Sequence, residues 1–570
     1  MKVIDFLDAN CKNCYKCVRH CSVKAIRVKN SQAQIMKEQC ILCGHCLEVC
    51  PQNAKTFVSD LSRVKSWLNA KEKVIVSIAP SYLGILTYKK PGQVVDALHR
   101  LGFYQVRETA EGAAMVTKAY QVLLRDGTLE NMITTCCPSV NDLVEKYYPD
   151  LTPYLAPVVS PMIAHGKLIK QLHPDAKVVF LGPCIAKKEE AEGDTRTKGY
   201  IDAVINFTEL ENWLAEQSID ISSCEEMPMD NPTPGINQLY PVSGGVISSV
   251  LLEENPDHHY HKIYVDGLNN VIDLLNGMRE GQIKGYFIEA NVCEGGCIKG
   301  PAIEKLGVSR FKARVTIEDQ VRHIPPCHEE AVATILLDKS FSPHPVMEPL
   351  PSEEKIQEIL HSTGKYSKEQ ELNCGACGYS SCLEKAIAVA QGKAEIEMCL
   401  PYAFEKARSM ANMVMEATPN MILVVDKDMQ ICDMNKKAEE VLMLPKSEAL
   451  KRYLFEFMDH SDVLTVYDTH QPILHKKIRL DNLHMIAMLI CVYIPDSDCV
   501  LCIFQDITEQ EEKKMRHYNL KVETVEMAQR VIDKQMMVAQ EIASLLGETT
   551  AETKVTLSKL RDSILEEDDD

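Results

Sequence analysis

Thr134-Thr135-Cys136-Cys137-Pro138 is the stretch on which the reading of this chain turns. Two adjacent cysteines close a strand-like run, residues 132–135, and a proline follows them. Neighbouring cysteines on an ordinary trans backbone lack the Cα separation and torsion that a disulfide needs. Two more stretches of the same region carry cysteine: Gly182-Pro183-Cys184-Ile185-Ala186-Lys187-Lys188-Glu189 and Glu289-Ala290-Asn291-Val292-Cys293-Glu294-Gly295-Gly296-Cys297. Five thiols from three separated loops suit a buried iron–sulfur cofactor.

Working outward, each loop follows an apolar run. Val74-Ile75-Val76-Ser77-Ile78 enters Ala79-Pro80-Ser81, Val178-Val179-Phe180-Leu181 enters Cys184, and Tyr286-Phe287-Ile288 enters Glu289 and Cys293. Residues 92–101, 110–124 and 161–172 between them have helix length, and 55–73 reads as a helical connector. The alternation predicts α/β layers with the cysteine loops at strand ends, where such folds place their sites.

The chain has 570 residues, 45% of them hydrophobic, enough for three or more domains with their own cores. A net charge of −19 argues against a nucleic-acid partner. No run approaches 18 apolar residues, so no membrane span is expected. The start, MKVIDFLDANC, lacks a basic-then-apolar signal pattern, which leads us to expect a cytoplasmic protein. Twenty-three cysteines with repeated C-x2-C point to metal in a reducing compartment rather than to disulfides.

Cys11, Cys14, Cys17 and Cys21 form C-x2-C-x2-C-x3-C, and Cys40, Cys43, Cys46 and Cys50 repeat it before Pro51. C-x2-C alone is also a zinc spacing. The paired runs resemble a bacterial two-cluster ferredoxin, with Ser22 where that family has Pro. The resemblance implies one cubane on Cys11, Cys14, Cys17 and Cys50, and a second on Cys40, Cys43, Cys46 and Cys21.

In order and spacing, the three later cysteine stretches resemble the signature motifs of the iron-only (FeFe) hydrogenases, over about residues 1–335. The layout is most similar to the sensory type, which continues into an extra cluster and a PAS domain. The resemblance implies an H-cluster: a 4Fe-4S cubane on Cys137, Cys184, Cys293 and Cys297, joined through Cys297 to a two-iron unit carrying CO, cyanide and a bridging dithiol amine. A thiolate can bridge irons because it is a soft anionic donor. Cys136 matches the family's proton-relay thiol. Lys187 matches a lysine donating to cyanide. Pro80, Ser81, Ser160 and Pro161 match loops around the two-iron unit. Tyr240, before Pro241-Val242-Ser243-Gly244-Gly245, resembles a family Phe on the same pocket.

The chain also departs from the pattern. Ser139-Val140 replace a small residue and Trp; Gly182 and Asn291 stand where Met is usual; Pro301-Ala302 replace two glycines. Alignment keeps Glu111 on the family's carboxylate route to the relay thiol but puts Ala114 and Ala156 at its second glutamate and its serine. Weaker turnover with retained cofactor is therefore expected. The alternative is a cluster-bearing scaffold without the two-iron unit, against which Cys136 and Lys187 count. Isolated Cys224 and Cys327 read as buried hydrophobes. His165, His173 and the His258, His259, His261 group have no matching carboxylate motif and read as surface or core.

Residues 341–372 change texture, with Phe341-Ser342-Pro343-His344-Pro345 and Pro349-Leu350-Pro351, and read as a linker with a short helix. Cys374, Cys377, Cys382 and Cys399 follow among glycines and resemble the ligands of a small cubane domain; zinc is the alternative. Residues 411–510 resemble a PAS domain, with strands at 421–426, 430–433, 485–493 and 499–504, Asn435 as a helix cap, and Asp506-Ile507-Thr508-Glu509 as the exit. Its ligand is left open, flavin, haem or none; Cys432, Cys491, Cys499 and Cys502 read as core filler. Val525, Ala528, Ile532, Ala539, Ile542 and Leu546 then fall on a heptad seam interrupted by Gln535. Either a parallel dimer coil or a helix packed on its own PAS domain fits that seam.

The fold expected is multidomain α+β and α/β. It comprises a two-cluster ferredoxin-like domain (1–60), a hydrogenase H-cluster domain (74–340), the linker (341–372), a small 4Fe-4S domain (373–408), a PAS domain (411–510), a signalling or dimerisation helix (511–550) and an acidic tail (551–570). The function implied is H2 = 2 H+ + 2 e−, slow and used for sensing, with an H-cluster, three additional 4Fe-4S clusters and a homodimer. A ferredoxin-like electron carrier and an effector acting in trans are the implied partners.

Overall fold

A computed structural model describes residues 3–7, 10–232, 235–250, 260–303, 307–322, 335–546, 555 and 559. Cys327, His258, His259, residues 547–550 and nearly all of the acidic tail lie outside them. The chain divides into two units, Met1–Ala403 and Phe404–Asp570.

In the first unit, Val74–Ile78 is buried at all five positions. A strand apolar on both faces needs cover on both, which a parallel sheet provides. It pairs in parallel with Gln105–Glu108 on one side and Lys177–Leu181 on the other, and Ala203–Ile205 completes a four-stranded sheet. A second parallel sheet orders His261–Asp266, Tyr286–Asn291 and Met132–Ile133. Helices Gly92–Arg100, Ala110–Asp126, Pro138–Tyr147 and Pro161–Leu172 supply the cover. Pro at the first position of the last two suits a helix start, where no N–H is missed.

The N-terminal segment is built of two antiparallel hairpin-like pairs, Ile4–Phe6 with Lys55–Phe57 and Ile26–Lys29 with Gln32–Ile35. Short helices Lys16–His20 and His45–Glu48 carry cysteines. Lys55–Phe57 is thus a strand, and the connector's helix is confined to Leu61–Asn69. Residues 374–399 pack on this segment. Tyr379, Ala388, Ala394 and Met398 share one apolar cluster with Cys17, Val18, Ile26 and Val28. Gly378, at φ +95°, has Val18 Cβ 3.1 Å from where its own Cβ would stand. Arg19 donates to the carbonyls of both Cys14 (3.1 Å) and Ala376 (3.0 Å).

The second unit contains a five-stranded antiparallel sheet ordered Ile431–Met434, Met421–Val425, Cys499–Asp506, Met485–Ile494, Ile473–Leu480. Asn435 caps its helix, its side chain accepting from Ala438 N. The strand Ile473–Leu480 escaped the sequence reading because its middle, His475-Lys476-Lys477, is exposed and basic and shows no alternation. Cys491 and Cys502 are fully buried, cross-strand partners with Sγ atoms 3.6 Å apart. Cys432 corrects the core-filler reading, since it is exposed. Helix Thr508–Leu546 follows. Among the described residues no helix is long and apolar enough to cross a membrane.

Candidate functional site

The carboxyl ends of the two parallel sheets converge on one cavity. Cys137 follows Met132–Ile133, Cys184 follows Lys177–Leu181, and Cys293 follows Tyr286–Asn291. These three, with Cys136, Cys297 and Lys187, line a space of about 460 Å3 not filled by protein atoms. Leu42 and Cys43 of the N-terminal segment form part of the same wall. Pro301 lies 2.3 Å from where a Cβ on Gly44 would be, so only glycine lets the two segments close there. Pro301, a departure from the family pattern, therefore packs the first cysteine-rich segment against the cavity. Gly182, another departure, has Phe180 ring atoms at 2.7 Å from its would-be Cβ, so a larger residue would displace that ring.

Gly296, at φ +91°, puts its would-be Cβ 2.4 Å from Pro241 O. A bridge between Val242 and Gly296, and the bond from Ser243 N to Gly295 O, strap the Tyr240–Gly245 stretch to the Cys297 loop. Burial pushes the Cys184 thiol up to about 11 and holds Cys293 and Cys297 well above the ordinary thiol range. Such thiols ionise when a metal replaces the proton.

Cys136 stands apart from the other four. Its carbonyl accepts from Lys187 Nζ at 3.1 Å, and its thiol meets Tyr120 OH at 3.4 Å. Burial raises the thiol to about 12, opposed by the Tyr120 hydrogen bond and the Lys187 charge. Lys187 is itself held by Glu190 Oε2 at 2.7 Å, which also accepts from Ser160 Oγ at 2.9 Å. Ser160 caps the helix that Pro161 begins. Ser81 and Ser243 are buried with hydroxyls that have no hydrogen-bond partner among the described residues. Pro80, Ser81, Ser160, Pro161 and Tyr240 do not line the four-cysteine cavity. Tyr240 is tied to this region through its hydroxyl, 2.8 Å from Thr117 Oγ1.

A second cavity, about 530 Å3, is lined by Cys374, Cys377, Cys382 and Cys399. Four cysteines lining each of two cavities fit bulky iron–sulfur groups.

Four family models match: 4Fe-4S dicluster domain at 3–51, iron only hydrogenase large subunit, C-terminal domain at 72–301, an Fe-S cluster family at 370–401 and PAS fold at 410–507. Over residues 72–301 the chain is homologous to the iron-only hydrogenases. Iron hydrogenase 1 of Clostridium pasteurianum is 28% identical over 60% of this chain and 76% of its own length. NADP-reducing hydrogenase subunit HndD of Solidesulfovibrio fructosivorans is 25% identical over 58% of this chain and 67% of its own. Cytosolic Fe-S cluster assembly factor NAR1 of Kluyveromyces lactis is 31% identical over 20% of this chain and 25% of its own.

Glu111, the carboxylate expected on the proton route, is held by two partners that the sequence did not pair with it. Glu111 takes two bonds from Arg107 Nη2, at 2.9 and 2.8 Å, and meets His165 Nε2 at 3.0 Å. His165 is fully buried, and its Nδ1 meets Ser77 Oγ at 2.8 Å. A carboxylate 54 positions away makes no sequence motif, which is why His165 read as unpartnered. The side chain that meets the Cys136 thiol is Tyr120, on helix Ala110–Asp126. Its hydroxyl also accepts from Thr135 N at 2.9 Å. The available signal was helical period: Ala113, Val116 or Thr117, Tyr120 and Leu124 share the buried face.

Proposed function

We propose that this protein is a hydrogenase of low turnover that interconverts H2 with protons and electrons and reports hydrogen through its PAS segment. The observation carrying this reading is Cys136, a fifth buried thiol beside four, with a lysine on its carbonyl and a hydroxyl on its sulfur. A cubane alone has no use for that arrangement.

Cys137, Cys184, Cys293 and Cys297 would hold the H-cluster, which supplies the electron transfer and the splitting of H2. Cys136 Sγ would accept and return the proton. Lys187, fixed by Glu190, would hold a positive charge toward anionic ligands of the cofactor. The Cys136 thiol is followed by neutral hydroxyls, Tyr120 and Thr135, and Thr135 Oγ1 ends on the carbonyls of Ala156 (3.2 Å) and Val158 (2.7 Å). A carbonyl cannot pass a proton on, and this supports slow exchange. Tyr120→Phe should cut turnover about 3- to 10-fold, the worth of one neutral hydrogen bond. Hydrogen–deuterium exchange rates measure this, and an unchanged rate would remove Tyr120 from the path.

Three additional thiol groupings would carry electrons: two in the ferredoxin-like segment and a third in residues 374–399. The functional test is infrared spectroscopy of protein loaded with the two-iron unit. Sharp CO and cyanide bands that shift between argon and hydrogen support the reading. Intact cubanes without those bands would favour a cluster scaffold, the reading to which the NAR1 likeness lends weight.

For output, Val525 and Ile532 on the seam of helix Thr508–Leu546 are only half-buried, and Ala528 and Ile542 are exposed. A second copy would cover them as a parallel coil. Val525→Asp with Ile532→Asp should convert a dimer to a monomer in light scattering coupled to size exclusion. An unchanged mass would mean the helix does not hold the dimer.

A further inference from the structure

The cavity of residues 374–399 differs from the other cysteine sites in its charge. Two lysines line it, Lys365 and Lys385, exposed by only 8% and 6%. Lys365 Nζ donates to Cys399 Sγ at 3.4 Å and is steadied by Thr363 O at 3.2 Å and Thr363 Oγ1 at 2.9 Å. Lys385 Nζ donates to the Glu395 carbonyl. Burial brings its pKa down to about 8, against the opposing pull first of Cys377, then of Cys399 and the Glu397 carboxylate. Lys365 thus touches a cysteine sulfur, and Lys385 lines the same cavity as all four cysteines. In the ferredoxin-like segment eight cysteines share one comparably buried lysine: Lys55, 4% exposed, acts on Cys17, Cys46 and Cys50, while the less buried Lys24 and Lys146 act on Cys21 and Cys40.

A cluster gains one negative charge when it takes up an electron, and net charge around it helps set its potential. Two ammonium groups buried at one cluster favour the reduced form more than one buried ammonium shared between two clusters, with two more solvated ones beside them. Position agrees with charge. Cys43 lines the hydrogenase cavity, while Cys11, Cys17, Cys21 and Cys46 share an apolar cluster with Cys377. The residues 374–399 site therefore ends a row that starts at Cys137 and Cys297. Cys399 is followed directly by helix Leu400–Ala417, which leads in sequence to the PAS segment.

We propose that Lys365 and Lys385 make the cluster on Cys374, Cys377, Cys382 and Cys399 the electron sink of the chain, the first of the additional cubanes to be reduced. This rests on the hydrogen-dependent reading above for its physiological electron source, H2 giving two protons and two electrons. The potential itself is independent of that source.

The experiment is a dithionite redox titration of the full-length protein with all clusters loaded, followed by electron paramagnetic resonance. The signal lost in Cys374→Ser identifies the cluster. That signal should appear first on reduction. In Lys365→Met with Lys385→Met its reduction equilibrium should move at least tenfold, about 59 mV to lower potential for a one-electron couple. Lys365→Arg with Lys385→Arg should restore most of that shift, whereas a merely structural role would not follow charge. If the double Met variant fails to assemble its iron, Lys365→Met alone should shift the same signal in the same direction. The proposal is overturned if the signal lost in Cys374→Ser is not the first to appear. It is equally overturned if that signal holds its midpoint in the neutral variants with iron content intact. Dithionite reduces the cubanes whether or not hydrogen does, so failure here and failure of the hydrogenase reading are separable.

Discussion

Cys136→Ala is expected to lower hydrogen turnover by about two to four orders of magnitude, the range for a positioned proton-transfer group. The substitution removes Sγ and nothing else that the neighbouring groups use. Lys187 keeps its bond to the Cys136 carbonyl, which is backbone, and its ion pair with Glu190. Tyr120 keeps Thr135 N. Infrared bands of the loaded cofactor should therefore persist while proton exchange stops. Full turnover in the alanine variant would end the relay role, and loss of the bands would make Cys136 a ligand instead. The Glu190 contact matters to the interpretation. A lysine this buried stays charged through its carboxylate partner, so Glu190→Gln should disturb the bands where Cys136→Ala does not.

Iron removal is expected to have the largest effect on the fold, and unequally along the chain. The apolar cluster under the ferredoxin-like segment includes Cys17 as a buried member and Cys11, Cys21, Cys46 and Cys377 at its edge. A segment of this size has few other large side chains to bury, and for such segments metal binding is folding energy. The PAS sheet instead closes over Leu423, Val425, Ile431, Leu489, Val500 and Phe504, with no cluster cysteine among them. Chelation under oxidising conditions, followed by limited proteolysis, should open residues 3–51 and 370–401 and spare 421–506. Protection of 3–51 in the iron-free protein would show that its core suffices alone.

Much of this was legible in the residues. Cysteine spacing is local, and the continuous apolar runs that become parallel strands carry their own signal: Val74–Ile78 and Lys177–Leu181 read correctly because both faces are buried. What escaped was long-range. Tyr120 reaches Cys136 across 16 positions, and Glu111 meets His165 across 54, pairings that only the packing of helices Ala110–Asp126 and Pro161–Leu172 determines. The two lysines at the 374–399 site were equally hidden, since Lys365 lies in what reads as linker.

The bonds from Arg19 to Cys14 O and Ala376 O join groups 357 positions apart for the second of them. Val28 N likewise waits for Lys393 O. On a ribosome adding roughly 5–20 residues each second, the first cysteine run spends about 20–70 s without the surface that later covers it. Over that interval the edge of the Ile26–Lys29 hairpin is open to pairing with other chains. Early cluster insertion would shorten that exposure, which makes iron supply during synthesis a determinant of yield.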